Sequence, residues 1–166
     1  MAVNEVEELT QKIEKYVSII ESEIGEGVIE KWEVNKMAKH LPTLEVSRNY
    51  FYQVAEVLKT HEETNFNYLL ELHGTDFESY LEVYVCLYSM KNREKLVLKT
   101  KLEIENPVID SLTPLWPGAD WPECEAFDLL GITFTGHPNL QRIFLGDDWK
   151  GYPLRKDYKD ENEWDS

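Results

Sequence analysis

The sequence has 166 residues, 42% hydrophobic and 30% charged, enough for one globular domain with a core of its own. Its formal net charge of −15 excludes free nucleic-acid binding and disfavours anionic membrane surfaces, because both need a basic face. Two cysteines, Cys86 and Cys124, with no CxxC pair, exclude a zinc knuckle or an iron–sulfur cluster and predict reduced thiols.

In chain order, residues 4–24 read as an amphipathic helix. Val6, Leu9, Ile13, Val17, Ile20 and Ile24 recur at steps of three and four and share one face. Gly25 and Gly27 stop it. Gly27–Met37 and Pro42–Val46 read as short strands. Ser47 is placed to cap a helix from Arg48 to about Thr60. Phe66–Leu72, Tyr80–Met90 and Lys95–Leu102 read as three strands, and the polar links His73–Ser79 and Lys91–Glu94 join them as two hairpins. The expected fold is α+β, a mainly antiparallel sheet with helices on one face, followed by a long irregular C-terminal segment. Residues 1–110 form the domain, 111–158 a segment docked on it and on a partner, and 159–166 a tail. No apolar run approaches the roughly 18 residues of a membrane span. The acidic start MAVNEVEELTQKIEK lacks a signal peptide's basic and apolar regions. A cytoplasmic protein is expected, attached to any membrane through partners.

The stretch Trp116–Tyr158 holds five of the eight glycines and three of the five tryptophans. Its glycines and prolines interrupt regular structure, while Trp116, Trp121, Phe127, Phe144 and Trp149 are costly to leave in water. Such a segment needs a surface to lie on: its own domain, a partner, or both. A helix begins near Pro122 and runs through Leu130, with Gly131 where a C′ glycine ends it. On it, Glu123, Phe127 and Leu130 share one side, and Glu125 and Asp128 are neighbours. Thr133–Tyr158 reads as a strand fragment and ordered loop, and amides across residues 132–158 are expected to exchange fast without a partner.

Motifs that carry chemistry are missing. The sequence has no GxGxxG and no GxxxxGK[ST], and Gly146–Gly151 is acidic where a phosphate cradle is neutral or basic, so it reads as turns. His40, His61, His73 and His137 are far apart, with no HExxH, so no metal site is legible. His137, between Gly136 and Pro138, reads as a turn histidine bonded to a backbone carbonyl, ahead of a metal or acid–base role. Glu123, Glu125 and Asp128 read as partners of cations such as Arg142, Arg155 and Lys156; a proton relay or cation site is the other reading. Cys124 lies between two acids, which opposes a thiolate nucleophile. The run Arg155–Tyr158 concentrates cations beside Tyr152 and Pro153, which fits an interface and intrachain anchoring equally.

The same residues carry a resemblance. Glu123-Cys124-Glu125 stands where the family signature has ERE, followed by Asp128-Leu129-Leu130-Gly131-Ile132. Gly136-His137-Pro138-Asn139-Leu140-Gln141-Arg142-Ile143 matches GHPxLxRI, and Asp147–Tyr158 matches DDWxGxPLRKDY. The sequence resembles the 30-kDa-type subunit of respiratory NADH dehydrogenase, the C subunit of bacterial complex I, closely over about residues 66–158. The resemblance implies a subunit with no cofactor, catalytic residue or metal site of its own. It implies a place in the peripheral arm of an ion-pumping complex, on the cytoplasmic face of the cell membrane. The partners would be a large catalytic subunit, with a quinone or nickel–iron site, and neighbouring iron–sulfur subunits. Trp121, Phe127, His137, Arg142, Trp149, Arg155 and Lys156 are expected to contact the partner or order the docking segment. Cys124 in place of the family's Arg removes one cation, and it widens the expectation to hydrogenase and sulfur-reducing relatives. The rival readings are an independent enzyme using His137 with Glu123 or Glu125, and a free binding module.

Overall fold

The computed structural model describes residues 2–35 and 40–160, the first four by backbone alone. The end of the expected first strand, Lys36 and Met37, and most of the expected tail, 161–166, lie outside the described residues.

Helix α1 (Ala2–Ile24) forms where its periodicity places it, with Ile13, Tyr16 and Ile20 buried. Strand β1 (Ile29–Asn35) pairs antiparallel with β2 (Leu41–Val46). The next helix starts later than expected. Arg48–Tyr50 is a 3-10 turn, and α2 spans Phe51–Thr60. Ser47 precedes the turn in extended conformation but makes no side-chain cap bond; its carbonyl accepts the Tyr50 amide at 3.0 Å instead.

Strands β3 (Tyr68–Asp76), β4 (Leu81–Ser89) and β5 (Glu94–Leu102) form the two expected hairpins. β3 runs on through His73–Asp76, a stretch whose polar composition reads as a loop. Gly74 is the reason that signal is weak. A Cβ there would lie 2.6 Å from Leu130 and 2.8 Å from Ile132, so close helix packing demands a residue of low strand propensity.

The sheet order is β1-β2-β5-β4-β3, antiparallel except for the central β2–β5 pair. Its register sets Leu44, Leu98, Val85 and Leu72 in one row across four strands. That face belongs to one hydrophobic core with side chains from all three helices, so the helices do share one side of the sheet. Each large side chain fully buried there contributes about 1.5–3 kcal/mol. The opposite face carries a polar row, His73, Tyr84, Lys99 and Glu45. His73 stacks on Tyr84 at 4.6 Å, and Lys99 pairs with Glu82 at 3.2 Å.

Beyond the sheet, β6 (Val108–Asp110) pairs parallel with β7 (Thr133–Thr135). A 3-10 turn, Pro117–Ala119, leads into α3 (Asp120–Leu130). The helix thus begins two residues before Pro122, which still falls in the first turn, where a missing N–H costs no helical bond. Gly131 ends it in left-handed conformation, φ 74°, as expected.

Candidate functional site

Helix α3 buries Glu123, Cys124, Ala126, Asp128 and Leu130. Two of these are carboxylates, and each has a distinct set of partners. Asp128 Oδ1 accepts from Arg142 Nη1 at 2.9 Å. Its Oδ2 accepts the amides of Ile143, Phe144 and Leu145 at 3.0, 2.7 and 3.1 Å. Arg142 also donates to the carbonyls of Asp128 at 3.0 Å and Gly151 at 3.2 Å. One side-chain pair thereby satisfies a loop that has no ladder of its own. Burial pushes the Asp128 carboxyl up, but the three amides and Arg142 outweigh it and hold it below the ordinary carboxylate range.

Three further anchors follow in the chain, at Tyr152, Arg155 and Lys156. Tyr152 lies so close over Gly131 that a Cβ would sit 2.6 Å from its ring, and the Arg142 and Arg155 guanidiniums lie 5.3 and 5.2 Å from the ring centroid. Arg155 Nε donates to Leu130 O at 2.7 Å. Asp76, at the end of β3, accepts the Lys156 amide at 2.9 Å and the Glu78 amide at 2.6 Å. Burial raises the Asp76 carboxyl, and those two amides with the Lys156 and Arg155 charges bring it below its usual value.

Glu123 sits differently. Its Oε2 accepts from Ser111 Oγ at 2.6 Å and its Oε1 from the Leu112 amide at 2.7 Å. Among the described residues, no Lys or Arg forms an ion pair with it. Full burial pushes it up to about 7; the two hydrogen bonds oppose this, and Asp120 adds to it. The expected pairing of Glu123 with a basic side chain is therefore replaced by neutral donors and by His137, whose Nε2 is 3.9 Å away. His137 bonds to a backbone carbonyl as expected, Asp120 O at 3.2 Å, while its Nδ1 accepts the Asn139 amide at 3.0 Å. Cys124 Sγ lies 3.8 Å from the same Nε2.

The residues singled out from sequence divide into two groups. Trp121 is 68% exposed, and Phe127 and Trp149 are half-buried. The His137 side chain is fully enclosed, and Arg142 and Arg155 are tied to their own chain. Lys156 directs its amine to the exposed Glu78. Glu125 is exposed on α3 and lines another recess with His73, Pro122 and Leu154; Glu123, not Glu125, approaches His137. Phe144, 64% exposed, and Leu154, 57% exposed, are outward apolar groups beyond those singled out from sequence. In the sequence Phe144 shows as an apolar side chain costly to leave in water, and Leu154 only by its setting in a polar, turn-rich stretch.

Residues 44–163 match the family described as respiratory-chain NADH dehydrogenase, 30 Kd subunit. The chain belongs to this family. The NADH-quinone oxidoreductase C subunit of Roseiflexus sp. (strain RS-1) is 48% identical over 107 residues, 63% of this chain and 62% of that protein. Its counterpart from Moorella thermoacetica is 38% identical over 125 residues, 74% of this chain and 83% of that one. The chain spans 62% of the length of the two Roseiflexus relatives. Among solved structures, the trypsin-resistant fragment of Nqo5 superposes with a TM-score of 0.56 at 25% identity, covering 66% of this chain and 89% of that one. A chain of the membrane-bound sulfane sulfur reductase, an archaeal respiratory membrane complex, shares the fold with a TM-score of 0.71 at 20% identity, covering 89% and 86%. No helix among the described residues is long and apolar enough to cross a membrane.

Proposed function

We propose that this chain is a non-catalytic structural and assembly subunit of a complex-I-like oxidoreductase. In this reading it sits in the peripheral arm of an ion-pumping, membrane-bound complex. It lies on the cytoplasmic side, docked on the large catalytic subunit beside iron–sulfur subunits. Family membership supports the class of complex. One arrangement supports docking: Asp128, Gly131 and Asp76 hold the C-terminal segment in place, while Trp121, Phe144 and Leu154 remain outward. Apolar groups fixed in advance lose little entropy when a partner covers them, and a buried aromatic anchor dominates many interfaces.

The test is co-purification of tagged Trp121→Ala, Phe144→Ala and the double variant with the rest of the complex. The expected result is an unchanged melting temperature of the isolated subunit and a loss of assembly. Normal yield of complex from the double variant counts against the reading. The proteins recovered with the wild-type chain distinguish an NADH-oxidising complex from a hydrogenase or a sulfur reductase.

A further inference from the structure

Three side chains of metal-ligand type meet at the start of α3, and docking makes no use of them. Asp120 and Cys124 are one helical turn apart, so they share a face. Gly136, at φ 80°, turns the chain after β7 and brings His137 against that face. His137 Nε2 lies 3.2 Å from Asp120 Oδ1 and 3.8 Å from Cys124 Sγ, and all three donor atoms lie within 4.8 Å of one another. A tetrahedral ion with bonds of about 2.0–2.1 Å to N and O and about 2.3 Å to S sets its ligand atoms roughly 3.3–3.6 Å apart. The two gaps to Nε2 are already those of a coordination shell to within a few tenths of an ångström.

We propose that Asp120, Cys124 and His137 form a binding site for a borderline-soft divalent ion of the zinc class. A thiolate and an imidazole favour such an ion over magnesium or calcium, which take oxygen ligands. The Cys124 and His137 side chains are enclosed, whereas the Asp120 side chain is 48% exposed. Asp120 also borders a surface recess of about 320 Å³ with Pro114, Pro117 and Pro138, which gives an ion a way in and leaves room for a water as fourth ligand. Glu123, held by Ser111 and Leu112, lies outside the ligand shell, 3.9 Å from His137 Nε2. Bound there, the ion staples the first turn of α3 to the His137 turn.

The proton balance is specific. As the side chains stand, Nδ1 of His137 accepts the Asn139 amide, so the ring proton is on Nε2. The Cys124 thiol donates to Asn139 O at 3.6 Å. Coordination through Nε2 moves the ring proton to Nδ1, leaving the imidazole neutral, and the thiol gives its proton to solvent. One proton is released per ion. Nδ1–H and the Asn139 N–H then oppose each other as two donors, so the Asn139 peptide has to turn away. Asn139, itself not a ligand, therefore reports the binding.

The test uses the full chain, stripped with a chelator and titrated with cobalt(II), then competed with zinc(II). One equivalent is expected to give tetrahedral d–d bands and a thiolate-to-cobalt charge-transfer band, release one proton, and shift the Asn139 amide resonance. Asp120→Asn, Cys124→Ser and His137→Gln are each expected to weaken zinc binding at least about tenfold, and Cys124→Ser to remove the charge-transfer band. Asp120→Asn alters a partly exposed residue and keeps this readable if the buried variants unfold. Cys86→Ser is expected to change nothing. No charge-transfer band in the wild type, a band that survives in Cys124→Ser, or a band lost in Cys86→Ser overturns the proposal.

Discussion

The buried carboxylate of Asp128 meets the guanidinium of Arg142 at 2.9 Å and at the same time gathers three consecutive amides, Ile143 to Leu145. This one relationship ties a loop without regular structure to the helix that precedes it. Breaking a buried pair by removing one partner costs about 3–5 kcal/mol. Asp128→Ala is expected to lower stability by that order in urea unfolding. A loss below about 1 kcal/mol, the size of an exposed pair, would show that the knot is not holding the segment.

Amide exchange separates the folded segment from what its composition predicts. An irregular, turn-rich stretch implies fast exchange across residues 132–158 without a partner. The amides of Ile143, Phe144, Leu145, Leu154 and Lys156 all have acceptors within the chain. They are expected to be protected in the isolated subunit and to lose protection selectively in Asp128→Ala. Uniform fast exchange in the wild type would mean that only a partner orders the segment.

The two buried carboxylates of α3 give opposite pH slopes. Asp128 is held below its ordinary value, so its contribution is present above the unfolded pKa and is lost as pH falls through the folded one. Glu123 is raised from 4.5 to about 7, so the native state binds more protons than the unfolded state between those values. Stability from this group therefore falls as pH rises from about 4.5 to 7, by roughly 3 kcal/mol in all, and is flat above. Denaturant unfolding of Glu123→Gln at pH 5 to 8 is expected to lack that slope. Parallel profiles for the wild type and Glu123→Gln would refute the assignment.

Gly131 is constrained twice, by a left-handed φ of 74° and by the Tyr152 ring against its Cα. Gly131→Ala is expected to cost at least about 1–2 kcal/mol from the backbone alone, with more from displacing the ring. Tyr152→Ala in the same background should recover the second part and not the first.

At the end of β3, backbone and side chain of one residue separate cleanly. The Lys156 amine pairs with Glu78 where both side chains are exposed, so Lys156→Ala is expected to change stability by less than about 0.5 kcal/mol. Asp76 satisfies the Lys156 and Glu78 amides, and Asp76→Ala is expected to cost about 1–3 kcal/mol. Equal effects in thermal unfolding would mean that the ion pair, rather than the amide bonds, anchors Lys156.

The sequence alone determined the class of fold, because that information is local. The stripe Ile13–Ile20, the alternation in β4 and β5 and the stop at Gly131 each follow from period or backbone preference within one element. The motif residues of the C-terminal third also disclosed the family. Propensity misled where tertiary contact overrides it: Gly74 sits in a strand because α3 needs the space, and Ser47 caps nothing because the chain enters α2 through a 3-10 turn. Only the tertiary structure decided what the polar residues do. Asp128 and Arg142 are 14 residues apart, Asp76 and Lys156 80 apart, and Cys124 and His137 13 apart. Pairing energies depend on distance and burial in space, and neither is encoded by spacing along an irregular chain. Thus Arg142, legible as a counter-charge for the carboxylates of α3 and as a contact or ordering residue, braces the segment through Asp128, and His137, legible as a turn histidine bonded to a carbonyl, also came to lie against Asp120 Oδ1 and Cys124.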